Sequence, residues 1–150
     1  MIRAFALALA CAITFAAEVA RAEPAVANAW MRPAPSGAKS ADAYADLRTD
    51  APVTLVAVRT SAARRVDLVL HDPRDAASVP RVVDTLALPA GETRFALKGS
   101  VLRLVDVARP IVPGESVVLA FEFVDAAGRT SGVEARVEVR GFAALPAAKR

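Results

Sequence analysis

This chain has almost no sulfur and almost no imidazole. Among its 150 residues are one Cys, two Met and one His. The single Cys, Cys11, falls in an N-terminal stretch that reads as an export signal. Arg3 supplies a positive start, and residues 5–17 form an apolar run too short to span a bilayer. Ala20-Arg21-Ala22 supplies a small-residue cleavage site. Residues 1–22 are therefore expected to be a signal peptide, with a periplasmic product. Cleavage there leaves no thiol, which excludes a disulfide, a thiolate metal site and a Cys nucleophile. It also leaves Met31 as the only Met and His71 as the only His. A lipoprotein reading would acylate Cys11 instead. Ala8 stands three residues before it where Leu is usual, and the apolar run continues past it to Ala17, so cleavage after Ala22 is the expectation.

Catalytic constellations are missing too. Ser36, Ser61 and Ser78 share one possible imidazole base, and there is no G-x-S-x-G elbow, no H-E-x-x-H and no P-loop. Asp72 and Asp75 lie in a turn-rich segment, where carboxylates are ordinarily solvated. An enzyme is not expected. No second apolar run approaches the roughly 18 residues a membrane helix needs. The net charge of +3 is spread along the chain, so no nucleic-acid partner is expected.

What is present is β pattern. Val117, Leu119, Phe121 and Phe123 alternate with Val118, Ala120, Glu122 and Val124. Val133, Ala135, Val137 and Val139 alternate with Glu134, Arg136, Glu138 and Arg140. The second run is strictly apolar then charged, which suits a strand with one wet face. Turn residues at 125–128 and 131–132 join the two runs into an antiparallel hairpin. Earlier strands are expected at 43–49, 53–60, 65–71, 93–97 and 101–107, separated by turns rich in Pro, Gly and Asp. In the 65–71 strand, Val66, Leu68 and Leu70 read as the inward set, with Asp67, Val69 and His71 outward. Frequent short strands without a convincing helix predict an all-β Greek-key sandwich over residues 23–140. Residues 33–37 read as an extended Pro-rich loop, and 141–150 as a flexible tail. Trp30 reads as a plug at one end of the sandwich, or else as an exposed recognition edge.

Several local patterns occur in an order that resembles the periplasmic copper chaperones of the PCu(A)C family. Ala29-Trp30-Met31-Arg32 followed by Pro35-Ser36-Gly37-Ala38 resembles the family's A-W-x-R…P-x-G-A opening, and Ala43-Tyr44 its next A-x-Y region. Val66-Asp67-Leu68 resembles the V-E-I before the first ligand. Leu86-Ala87-Leu88-Pro89-Ala90-Gly91 resembles its L-x-I-P-A-G turn. Gly99 opens the region corresponding to G-x-H-x-M, and Pro110-Ile111 with Pro113-Gly114-Glu115 resembles P-L-x-x-G-D. The resemblance implies a cupredoxin-like fold that binds one Cu(I) through two His and two Met. It also implies delivery toward the copper centre of a respiratory oxidase.

The implied ligand positions read Val69, Pro80, Val101 and Arg103, and a two-residue deletion would put His71 in the first of them. Cu(I) favours thioether and imidazole, and Val and Pro offer no donor, while Arg carries a fixed positive charge. The usual site is therefore expected to be lost. No cofactor is expected, with copper kept only as a weak possibility at His71. His71 reads as a solvated strand-end residue, or else as a residual ligand beside Asp67, Asp72 or Asp75. Arg64, Arg65 and Arg103 read as ordinary solubilising charge, or else as a positive edge for an acidic partner or anion. Three functions stay open. The first is a binding or assembly module acting on a periplasmic protein of copper handling or oxidase assembly. The second is a working copper chaperone using His71 with ligands from a partner chain. The third is a structural or protein-interaction sandwich unrelated to copper.

Overall fold

A computed structural model describes residues 23–141 except Pro73 and Ala76. The expected signal peptide, and the expected tail apart from Gly141, lie outside the described residues. Ten strands follow one another: β1 Ala25–Met31, β2 Ser40–Thr49, β3 Val53–Arg59, β4 Ala63–Leu70, β5 Arg81–Val83, β6 Leu86–Leu88, β7 Gly91–Phe95, β8 Val101–Val107, β9 Ser116–Asp125 and β10 Thr130–Val139. They form one sheet in the order β5-β4-β8-β2-β1-β10-β9-β3-β6, with β7 also on β2. The sheet rolls over on itself into an all-β, cupredoxin-like sandwich.

The hairpin of β9 and β10 runs in unbroken antiparallel register from Thr130↔Val124 to Glu138↔Ser116. Its burial follows the sequence alternation. Leu119, Phe121, Phe123, Val137 and Val139 are buried, while Glu134, Arg136 and Glu138 are exposed. Gly128 closes the turn at φ +79°, a conformation L side chains avoid, and its amide donates to the Asp125 carbonyl. The Asp125 carboxylate takes the amides of Ala127 and Arg129 at 2.9 and 3.0 Å.

β2 organises the other half. One edge pairs with β1; the other pairs with β8 over Ser40–Ala43 and then with β7 over Ala45–Thr49. Tyr44 stands where β7 and β8 part. Met31, Ala43, Leu68, Leu102 and Leu104 point inward from this half and meet the β9–β10 side chains in one core. The halves join where β1 lies parallel to β10, at Trp30↔Glu138 and Met31↔Val139. At the other side β3 and β4 do not pair along their middles. A groove of about 430 Å³ separates them, lined by Arg59, Arg64, Arg65 and Asp67 among others.

Three strands go beyond the sequence expectation. β1 is rich in Ala and carries Asn28 at φ 51°, so local propensity argues against it; the ladder to β2 forms it anyway, across a bulge between Ala27 and Trp30. β5 and β6 are three residues each, too short for a period to register, and exist as edge partners of β4 and β3. The Pro-rich loop is pinned as well. Ala34 is 1% exposed and exchanges two backbone hydrogen bonds with Ile111.

Candidate functional site

The implied ligand positions come together on the outer face of β4 and β8. Val69 lies directly opposite Val101, and Arg103, two residues on, lies opposite Asp67. Pro80 immediately precedes β5, whose Arg81 pairs with Leu70, the residue before His71. The chain thus brings Val69, His71, Pro80, Val101 and Arg103 to one corner of the sheet.

Apart from His71, the corner is built of contacts that offer a soft cation no donor. Val69 was expected to face water, but it is only 6% exposed. The reason is lateral cover: Val101 on β8 and Val82 on β5 flank it across both ladders. Period two gives the direction of a side chain, but neighbouring strands decide whether that direction is wet. Arg103 is not an uncompensated charge either. Its Nε and Nη2 reach the two oxygens of Asp42 at 2.8 and 3.2 Å, a bidentate fork. That hydrogen bond raises the Arg103 pKa further. Arg65 makes the same kind of fork to Asp67. The expected positive edge is therefore neutralised at two of its three members. Arg64 is exposed and makes no hydrogen bond or ion pair among the described residues; it lines the β3–β4 groove.

His71 is half-buried rather than freely solvated. Its backbone amide donates to Ser100 Oγ at 3.2 Å, and its Nδ1 lies 3.2 Å from Ser78 Oγ. Ser78 Oγ also donates to the Asp72 carbonyl. The His71 backbone thus ties the end of β4 to Ser100 beside β8, while its imidazole braces Ser78 within the following loop. Among the described residues, no three His, Cys, Asp or Glu side chains gather closely enough to hold a metal ion. The donor set at this corner, a single imidazole and no thioether, does not fit a two-His, two-Met Cu(I) site.

Next to this corner the outer face carries a cluster that sequence reading treated only in part. Trp30 lies opposite Tyr44, with ring centroids 4.4 Å apart, and the Arg140 guanidinium sits 5.5 Å from the Trp30 ring. Trp30 is half-buried on this face, while its neighbour Met31 fills the core at 0% exposure. The plug reading is thereby corrected: alternation along β1 turns Trp30 outward and Met31 inward. The Arg32 amide donates to the Asp42 carbonyl at 3.1 Å, extending the β1–β2 ladder one residue. Arg32, Asp42, Arg103 and Asp67 consequently form a row of alternating charge across β1, β2, β8 and β4. The sequence signals for the cluster were the motif containing Trp30 and Arg32 and the following Ala43-Tyr44 pattern; their juxtaposition, and the link to Asp42, come through strand pairing.

The all-β sandwich has the fold of solved PCuAC domains. The copper-bound PCuAC domain from PmoF2 superposes with a TM-score of 0.62 at 23% identity, over 81% of this chain and 96% of that one. That likeness is one of fold. The Cu(I) form of DR1885 from Deinococcus radiodurans matches with a TM-score of 0.56 at 26% identity, over 73% of this chain and 74% of its own. Its apo form matches with a TM-score of 0.52 at 25% identity, over 93% and 97%. No curated protein matches the chain. The family model described as "Putative lipoprotein LpqE-like" spans residues 24–139, and the chain belongs to this LpqE-like family. Among the described residues no helix is long and apolar enough to cross a membrane.

Proposed function

We propose that this chain is a periplasmic, non-enzymatic binding or assembly module on the PCuAC scaffold, in which the usual Cu(I) site has been replaced. The observation that carries this reading is the pairing of Val69 with Val101 and of Arg103 with Asp42 at the corner where the resemblance places copper ligands. A packed apolar pair and a closed ion pair occupy that corner in place of donors. The partner would be a periplasmic protein of copper handling or oxidase assembly, met by protein contact.

The test is anaerobic Cu(I) titration of the purified protein against a chelator competitor, with mass spectrometry for stoichiometry and for the N-terminus. We expect no copper retained above the chelator. One tightly held Cu(I) per chain would overturn the reading. The copper-bound state of the PmoF2 domain and the Cu(I) state of DR1885 favour a second reading, in which His71 supplies one ligand and a partner chain the rest. It predicts copper-dependent association that His71→Ala abolishes; on our reading association is the same with and without copper in both proteins. The same mass spectrum decides the leader. Cleavage after Ala22 gives a chain beginning at Glu23, whereas the lipoprotein description of the family favours a chain beginning at an acylated Cys11.

A further inference from the structure

The outer face of β1 and β2 holds two hydrogen-bonding side chains that bond no described residue. Tyr44 is 3% exposed, and its hydroxyl bonds no described residue, although the oxygen itself is not sealed from solvent. Among the described residues Arg32 forms no ion pair, and its Nε is sealed from solvent with no acceptor. Its terminal nitrogens are neither bonded nor sealed. A guanidinium nitrogen sealed from water without an acceptor is uncommon.

These groups are neighbours. Arg32 lies across from Asp42 and Trp30 from Tyr44, so Arg32 and Tyr44 sit diagonally on one face. Diagonal cross-strand residues are roughly 7–8 Å apart, a span that a carboxylate with a hydrogen bond from each side can bridge. Asp42 bonds neither group; its oxygens accept from Arg103 instead.

We propose that Arg32 and Tyr44 form a binding site for a carboxylate, with Trp30 as its apolar wall. A guanidinium and a phenol hydroxyl are donors only toward an anion, which sets the sign of the ligand. Asp42 and Asp67 in the same row set its charge: they oppose a dianion such as phosphate more than a single carboxylate. The proposal does not rest on the loss of the copper site, and a copper-binding outcome above leaves it standing.

The chain's single Trp supplies the readout, being stacked on Tyr44 itself. Acetate, a blocked tripeptide with one central aspartate, inorganic phosphate and chloride are titrated at constant ionic strength. Trp30 fluorescence and the Arg32 side-chain NMR resonances are followed together. We expect saturable shifts with acetate and the peptide, and weaker ones with phosphate. Tighter binding of the peptide than of acetate would assign the site to a protein partner; equal binding would assign it to small carboxylates. Tyr44→Phe, which keeps the ring stack, should weaken binding by about fivefold, the loss of one hydrogen bond. Arg32→Gln should remove saturation. Shifts that are linear for all four anions in the unsubstituted protein, or unchanged in Tyr44→Phe, would overturn the proposal.

Discussion

Tyr44 carries the chain's only phenol, which makes its titration separable from all others. Burial raises its pKa above the ordinary 10.0, with the Asp42 charge adding to the rise and Arg32 and Arg103 opposing it. The neutral form is therefore favoured by folding. Its contribution to stability is fully present below the ordinary value and is lost as pH climbs through the higher folded value. Two measurements check this. Tyrosinate absorbance of the folded protein should develop only above pH 10.0, later than in urea-unfolded protein. The urea midpoint of the unsubstituted protein should fall more steeply above that pH than the midpoint of Tyr44→Phe. Parallel midpoint curves for the two proteins would count against a desolvated phenol. The Arg residues beside it behave differently. Arg103 and Arg65 lie on an open face, so their forks to Asp42 and Asp67 fix geometry more than they add stability.

Strand register makes a sharper claim, because it says which substitutions would have to act together. Val69 and Val101 face each other across β4 and β8, and Arg103 stands one pleat further along β8 on the same side. Val69→His, Val101→His and Arg103→Met combined would place two imidazoles and a thioether within one small area, a donor set suited to Cu(I). We expect this triple variant to retain about one copper per chain against a chelator that strips the unsubstituted protein, and each single variant to retain none. Failure of a folded triple variant to hold copper would mean that the register does not bring these positions into one site. This corner also shows what was legible beforehand. The β9–β10 hairpin was readable because its period is strict and its turn has Gly128 where φ must be positive. The burial of Val69 and the neutralisation of Arg103 were not readable. Both come from residues on other strands, Val82 and Asp42, that no local pattern connects to them. β1 was hidden for the same reason: its stability is supplied by β2 and β10 rather than by its own Ala-rich sequence.

The whole molecule is tied together by its first and last strands. β1 pairs in parallel with β10, and this ladder is what joins the β2–β8–β4 half to the β9–β3 half by backbone hydrogen bonds, since β3 and β4 stand apart at the groove. The join is reinforced at its end, where the Arg140 amide donates to the Met31 carbonyl and the Val139 amide to that of Glu115. Met31, Val137 and Val139 meet there at 0–2% exposure. Neither half can bury its inner face alone, so the two should fold as one cooperative unit whose closure waits for the chain's last strand. A chain ending at Asp125 keeps most of the strands but loses β10, baring the edge of β9 and the inner side of Met31 together. We expect that chain to show no cooperative thermal transition by circular dichroism and a collapsed amide dispersion by NMR. The full chain should show a single transition, with folding in the slow range of milliseconds to seconds typical of sandwiches rich in non-local pairs. A cooperative transition in the shortened chain would show that the β2–β8–β4 half is stable by itself. In that case the outer face bearing Trp30, Arg32 and Tyr44 would be set by that half alone.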